Sequence, residues 1–380
     1  MRSRARSAPR ATFAVIAGGG TAGHVLPALS VADALVRRGH AASAIHFVGS
    51  RRGQERTLVP AAGFAVTLLP GRGVARRVNL ESAGAVAGLG AALLGALVLL
   101  ARLRPAVVVS VGGYAALPTA LAAVLLRMPL VLTNPDAVPN TANRLVGRFA
   151  AASAVAFEGT PLPRATVTGS PVRPEVEKAD RSPEGRGAAR RILGLPEGRT
   201  TVAVFTGSLG SRRVNEAVAG LVADWAGNAG LTLRHVVGRR DWPELCSRLP
   251  VPPDDGLCYR PVEYEDRMPA LLASADVLIG RAGASTVAEV AAVGLPAILV
   301  PLPGAPGDHQ TANAAVLARA GGAVVLADQD CTSARLEAML GNLLGDAGRL
   351  ETMGKAAAGI GRPGAAAAVA ALVEQCARRG

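Results

Sequence analysis

Two glycine-rich turns in this 380-residue chain have the composition of anion-binding loops. The first runs Gly18-Gly19-Gly20-Thr21-Ala22-Gly23-His24 and the second Thr206-Gly207-Ser208-Leu209-Gly210-Ser211. Each follows a short apolar run, Phe13 to Ala17 or Thr201 to Phe205, and each precedes a helical pattern, Pro27 to Arg38 or Val214 to Trp225. A strand, a glycine turn and a helix N-terminus aim backbone N–H groups and the positive end of the helix dipole at one spot, which suits phosphate. His24, at the mouth of the first helix, adds a group able to touch phosphate or move a proton. The dipole there favours the neutral imidazole, which suits a base more than an acid.

A third loop, Gly280-Arg281-Ala282-Gly283-Ala284-Ser285-Thr286, follows the apolar stretch Asp276–Ile279 and can present backbone N–H groups to a diphosphate. Glu289 stands one helical turn beyond Ser285, where a carboxylate can accept hydrogen bonds from a ribose diol. Within Asp308-His309-Gln310-Thr311-Ala312-Asn313, the amides of Gln310 and Asn313 are three apart and share a helical face, as a pair reading sugar hydroxyls would. Gly112-Gly113-Tyr114, Thr133-Asn134-Pro135-Asp136-Ala137-Val138-Pro139-Asn140 and Thr168-Gly169-Ser170-Pro171-Val172-Arg173 each come after an apolar run, at the strand ends where ligands sit in α/β folds. Arg173 is placed to reach a phosphate across an interdomain cleft.

The elements that must carry these loops are short apolar strands separated by helices or loops, as in a parallel sheet wound on both faces. The first half offers Thr12–Ala17, Ala44–Val48, Val66–Leu69, Val107–Val111, Leu130–Leu132, Ala154–Phe157 and Ala165–Thr168. The second half restarts with Thr201–Thr206, Leu233–Val237, Asp276–Ile279, Ala297–Val300 and Ala323–Leu326. Glu175 to Arg191, containing Pro183-Glu184-Gly185, is polar and poorly periodic and reads as linker. The expected organisation is an N-terminal domain over 1–171, a linker over 172–196, a second domain over 197–355 and a C-terminal helix over 356–380 that packs back on the first domain. Two similar α/β domains with a phosphate-bearing ligand in the cleft between them have the layout of a nucleotide-sugar glycosyltransferase.

The first turn also matches G-x-G-x-x-G, but a dinucleotide site wants an acid near the end of the second strand, and that strand ends Phe47-Val48-Gly49-Ser50. An NAD(P)-dependent dehydrogenase is therefore the weaker alternative. The net charge of +13 suits an anionic partner, yet with 3% aromatic residues and no binding module a nucleic-acid partner is not expected. Arg2, Arg4, Arg6 and Arg10 precede the first strand with no apolar segment between, which argues against a secretory signal. Cys246, Cys258, Cys331 and Cys376 show no metal or disulfide spacing, as suits a reducing compartment. Ser82 to Ala101 carries no charge but is diluted by glycine and alanine, so it reads as a buried or amphipathic helix rather than a membrane span. Its flanking Arg72, Arg76, Arg77, Arg102 and Arg104 fit a helix resting on an anionic leaflet.

In order along the chain, these motifs resemble the MurG family, whose enzymes transfer N-acetylglucosamine from UDP to an undecaprenyl-pyrophosphoryl-muramyl-peptide acceptor (lipid I). The glycine turn ending in His24 resembles the family's first loop, and Gly112-Gly113-Tyr114 its second. Thr168 to Arg173 resembles TGNPVR with Ser170 in place of Asn, and Thr206 to Ser211 resembles GGSQGA. Arg281 to Glu289 resembles R-[AS]-G-A-x-T-x-x-E, and His309-Gln310 with Asn313-Ala314 resembles HQxxNA. The resemblance implies a GT-B fold of two Rossmann-like domains. In the second domain Glu289 would bind ribose, Ser208 with Ala284, Ser285 and Thr286 the diphosphate, Tyr264 and Met268 the uracil, and Gln310 and Asn313 the sugar. Gly19, Gly20, Thr21, Gly23, Gly112, Gly113, Tyr114 and Asn134 would face the acceptor, and Arg173 would stabilise the leaving UDP. The implied reaction inverts the anomeric centre and uses no bound metal or cofactor, at the cytoplasmic face of the membrane.

One stretch departs from that pattern. The family carries HEQN where this chain has Thr133-Asn134-Pro135-Asp136, and Ala22 replaces a usual Gly. His24 is then the leading candidate to take the acceptor proton, with Asp136 as a displaced substitute. Because the changes fall in the acceptor half, two alternatives stand beside lipid I glycosylation. One is a paralogue acting on a phosphoglycolipid antibiotic intermediate of the moenomycin type, and the other a non-catalytic UDP-sugar-binding protein.

Overall fold

The computed structural model describes residues 12–20, 22–70, 80–113 and 116–377, with only the backbone path for 22 and 80–87. Thr21, Tyr114, the leader arginines, Arg72, Arg76 and Arg77 lie outside the described residues. The chain forms two compact units, residues 1–173 with 364–380, and residues 174–363.

The first unit is built on a seven-stranded parallel sheet ordered β3-β2-β1-β4-β5-β6-β7. Its strands are β1 Ala14–Gly18, β2 Ile45–Ser50, β3 Ala65–Leu69, β4 Val107–Gly112, β5 Leu130–Asn134, β6 Ala152–Val155 and β7 Ala165–Val167. The central strands are buried on both faces, which is why they read as continuous apolar runs. On one face lie the helices Ala22–Arg37, Glu55–Ala61 and Ala365–Ala377, packed through Val31, Leu35, Val59, Val369 and Val373. On the other lie Leu80–Leu103 and Ala116–Leu125, packed through Ala92, Ala96, Leu100, Ala120 and Ala123. Full burial of a valine contributes roughly 1.5–3 kcal/mol, so Val369 and Val373 make the C-terminal helix an integral part of this unit. By length and composition Ala347–Ala377 would pass for a membrane span. It is instead two helices, Ala347–Ile360 and Ala365–Ala377, parted where Gly364 takes a positive φ of 77°.

The second unit carries a six-stranded parallel sheet ordered β10-β9-β8-β11-β12-β13. Its strands are β8 Thr200–Phe205, β9 Leu231–Val236, β10 Cys258–Val262, β11 Val277–Gly280, β12 Ala297–Leu299 and β13 Ala323–Val325. β10 has no counterpart in the sequence reading. It contains Pro261, which is tolerated because β10 is an edge strand and the missing N–H breaks no central ladder.

The stretch Glu175–Arg191 is helical rather than irregular. It holds the short helix Pro174–Glu177 and the helix Pro183–Leu193. Ser182 caps the latter by accepting from the Gly185 N–H at 3.0 Å, Pro183 occupies its first turn, and Gly194 ends it in the left-handed region. Pro-Glu-Gly looks like a turn in isolation but follows a capping serine here.

Both sheets reverse strand order at one point, between β1 and β4 in the first and between β8 and β11 in the second. Ligands bind in open α/β sheets outside the carboxyl ends of strands at such a point. The glycine turns after β1, β4, β8 and β11 lie there, whereas Thr168-Gly169 follows the edge strand β7.

Candidate active site

In the first unit the loops after β1 and β4 are in direct contact. Gly19 N–H donates to the Gly112 carbonyl at 3.3 Å, and β1 and β4 slip register at Ala17/Gly18. A side chain on Gly113 would overlap the Gly19 carbonyl, so this approach requires glycine. The His24 imidazole covers Gly112: a Cβ there would sit 3.2 Å from His24 Cδ2 and 3.2 Å from Asn140 Nδ2. His24 also lines a small pocket with Thr133, Pro135, Thr168, Gly169, Ser170 and Pro171. The buried Ser170 hydroxyl in that pocket has no hydrogen-bond partner among the described residues.

The loop amides are less open to an anion than the sequence suggested. Gly19 N–H is spent on Gly112, and Gly20 N–H donates to Glu55 Oε2 at 2.9 Å. Glu55 Oε1 accepts from Ser50 N–H at 2.5 Å. An acid is therefore present at the tip of β2 after all, five residues past Ser50, but it is turned onto backbone amides instead of toward a ribose.

Asn134, expected to face the acceptor, is buried and holds its own loop. Its Nδ2 donates to the Asp136 carbonyl at 2.6 Å, and its Oδ1 accepts from Asn143 Nδ2 at 3.1 Å. Asn143 Nδ2 also reaches the Thr133 carbonyl at 3.0 Å, and Asn140 caps the helix Thr141–Val146 by accepting from Asn143 N–H at 2.9 Å. These bonds leave Asp136 half-buried on a fixed loop.

In the second unit the helix Ala284–Val293 begins at Gly283 without a side-chain cap. The start of this helix carries the positive end of its dipole, the geometry that suits an anion. Glu289 lies in the same helix and is buried. Arg281 does not aim at that site. It donates to Ser211 Oγ at 2.6 Å and to the Val300 and Pro301 carbonyls, both at 3.1 Å, and pairs with Asp328 at 2.7 Å. Its charge clamps the second glycine turn to the loops after β11 and β12.

Asn313 is likewise not presented to a ligand: it is fully buried and donates to the Ala282 carbonyl at 3.1 Å. Gln310 accepts from Leu302 N–H at 2.9 Å through Oε1, so its amide nitrogen is the end that can meet a sugar. Ser208 is half-buried, its carbonyl accepting from Arg239 N–H at 3.0 Å. The Arg239 guanidinium stacks 4.2 Å above the Tyr264 ring. Met268 is buried at the start of the helix Met268–Ser274. Arg173 ends the first unit.

Beneath the second glycine turn is a buried network that the sequence did not reveal. Asn215 Nδ2 donates to the Val237 carbonyl and to Asp241 Oδ2, each at 3.0 Å, which orients Asn215 Oδ1 toward His235 Nε2 at 3.0 Å. Nε2 must then carry the proton, and Nδ1 accepts from the Tyr259 hydroxyl at 2.8 Å. Burial pushes the His235 pKa down to about 3 and the Tyr259 pKa up. A second buried pair, Arg234 and Glu265, is joined by bonds of 3.1 and 2.6 Å and fixes the loop that carries Tyr264. Among the described residues no group of three His, Cys, Asp or Glu side chains could hold a metal ion.

Residues 14–155 match the glycosyltransferase family 28 N-terminal domain, and residues 201–371 match the glycosyltransferase family 28 C-terminal domain. The chain belongs to glycosyltransferase family 28. It is 35% identical over 376 residues to the UDP-N-acetylglucosamine--N-acetylmuramyl-(pentapeptide) pyrophosphoryl-undecaprenol N-acetylglucosamine transferase of Desulforudis audaxviator, covering 96% of this chain and 99% of the relative. It is 40% identical over 363 residues to the enzyme of the same name from Acidothermus cellulolyticus, covering 96% and 97%. The crystal structure of Acinetobacter baumannii MurG superposes with a TM-score of 0.75 at 26% identity over 96% of this chain and 99% of that one. These similarities put the chain in the MurG group of the family, with its GT-B fold, and not among dehydrogenases.

Proposed function

We propose that this chain transfers N-acetylglucosamine from UDP-N-acetylglucosamine to the muramyl-pentapeptide pyrophosphoryl-undecaprenol acceptor. The observation that carries this is similarity over nearly the whole chain to relatives named for that reaction. Similarity of that extent to cell-wall transferases weighs against the phosphoglycolipid and binding-protein alternatives. The acceptor hydroxyl oxygen attacks C1 of the sugar, the C1–O bond to UDP breaks with its electron pair leaving on UDP, and the hydroxyl proton passes to a base. His24 is that base in this reading, with the first unit's glycine loops holding the acceptor pyrophosphate. Glu289 takes the ribose diol, Ser208 with the start of the Ala284–Val293 helix the diphosphate, Tyr264 the uracil, and Gln310 the sugar.

The same reading takes the protein to the cytoplasmic face of the membrane. Leu94 and Val98, 66% and 70% exposed, lie one turn apart on the outer face of the Leu80–Leu103 helix. Leu125, 63% exposed, ends the helix packed beside it, and Phe149 is half-exposed. Arg102, Arg104, Arg127 and Arg148 accompany them, as on a surface that meets anionic lipid.

The test is UDP release from UDP-N-acetylglucosamine with and without a short-chain lipid I analogue. Release that depends on the analogue is expected, and His24→Ala should lower kcat roughly 10²–10⁴-fold with donor affinity retained. Donor binding without acceptor-dependent release would refute the proposed acceptor.

A further inference from the structure

Glu55 is 1% exposed and begins the helix Glu55–Ala61 at the tip of β2. No lysine, arginine or histidine pairs with it among the described residues; its carboxylate is met by the Gly20 and Ser50 N–H groups. Room for it is made by three glycines: Gly19 in the turn after β1, Gly49 near the end of β2 and Gly53 in the turn after it. A Cβ on Gly19, Gly49 or Gly53 would overlap the Glu55 carboxyl group. Burying a carboxylate costs several kcal/mol unless it is paired or well hydrogen-bonded, so an arrangement that encloses one beside a ligand loop needs a reason.

The reason lies in the loop itself. Gly19 and Gly20 have φ of 151° and 103°, a region open only to glycine, and a run of such residues has high conformational entropy unless something holds it. The Gly112–Gly113 turn grips it from the β4 side through Gly19, and Glu55 grips it from the β2 side through Gly20. We propose that Glu55 is a positioning residue for acceptor binding: its carboxylate fixes Gly20 so that the start of the Ala22–Arg37 helix and His24 are held ready for the acceptor pyrophosphate. This rests on the reading above that the first glycine loop serves the acceptor. Two of the loop's amides are then part of the scaffold, and an acceptor anion is received by the helix N-terminus beyond them.

Glu55→Gln keeps the side-chain shape but turns an NH₂ group against one of the two N–H donors. Gly53→Ala keeps the carboxylate and displaces it from the exposed side of the turn, so it carries the test if Glu55→Gln fails to fold. Steady-state kinetics of the full-length chain, varying the lipid I analogue and UDP-N-acetylglucosamine in turn, should show KM for the acceptor raised at least about tenfold in either variant, as loss of a charge-assisted hydrogen bond would produce. KM for the donor should stay within about twofold. Folded variants with both KM values unchanged, whatever the loss of active protein, would overturn the proposal by confining Glu55 to fold stability. His24→Ala, run alongside, separates the two levels of inference. If it impairs acceptor turnover while the Glu55 and Gly53 variants do not, only the positioning role fails. If none of the three touches acceptor kinetics, the acceptor reading of the loop fails with it.

Discussion

Asn313 separates two roles that the sequence could not tell apart. Its spacing from Gln310 suggests a pair of amides reading the donor sugar, yet it is 0% exposed and its Nδ2 is committed to the Ala282 carbonyl at 3.1 Å. Asn313→Ala removes at least this buried bond, strands the Ala282 carbonyl in a dry interior and leaves a small void. A buried acceptor without a partner costs about 1–3 kcal/mol, and the void adds to that, so a loss near 2 kcal/mol is expected. For a unit of this size each kcal/mol corresponds to about 2–4 °C, which predicts a Tm lower by roughly 4–8 °C. Because Ala282 lies two residues before the start of the Ala284–Val293 helix, donor KM should rise modestly. The deciding assay is the ratio of kcat/KM for UDP-N-acetylglucosamine over UDP-N-acetylgalactosamine, beside a thermal melt. A scaffold residue lowers Tm and leaves the ratio within about threefold, because the groups that read the sugar are still present. A reader of a sugar hydroxyl contributes orders of magnitude to such discrimination, since its loss leaves the rest of the site unable to tell the epimers apart. Collapse of the ratio with an unchanged Tm would refute the buried role.

Two further outcomes follow from other parts of the molecule. Burial lowers the His235 pKa from 6.5 to about 3, so between those values the unfolded chain binds a proton that the folded one does not. Stability from this group is whole above the unfolded value and falls by up to about 1.4 kcal/mol per pH unit below it. Urea melts of wild type and His235→Gln should show a shallower acid dependence in the variant, and equal slopes would remove His235 as the cause. Leu94→Asp combined with Leu125→Asp should weaken co-sedimentation with anionic phospholipid vesicles without lowering Tm, and undiminished binding would exclude this face as the membrane contact.

The fold was legible because the features that specify it are local. Strands buried on both faces are apolar along most of their length, as Val107–Val109 and Val202–Val204 are, and chain turns with positive φ and close backbone contact favour glycine, as at Gly112 and Gly113. The site was legible only in part. Composition gives a polar side chain's hydrogen-bonding capacity but not the direction in which it is used. Asn134 and Asn313 have the chemistry to meet a sugar or a phosphate and spend it on neighbouring carbonyls. Glu55 carries no signal in the sequence; its role emerges only when the fold brings Gly19, from the turn after β1, onto the Gly49 and Gly53 segment around it.

These misreadings share a cause that bears on catalysis. Glycine loops are suited to phosphate because their amides can approach it closely, and the same freedom makes them entropically costly to hold. In the first unit Glu55 and the Gly112 carbonyl fix the loop after β1, while Asn134, Asn140 and Asn143 fix the loop after β5. In the second, Asn215 with His235 and Asp241 underlies the loop after β8, Arg281 clamps it, and Asn313 holds the turn before the Ala284–Val293 helix. A transferase working through fixed dipoles gains rate only if those dipoles need no rearrangement when charge develops on the leaving diphosphate. Buried polar side chains with the chemistry to meet ligands are therefore what holds these loops in place instead. A substitution among them should weaken substrate binding without contacting the substrate.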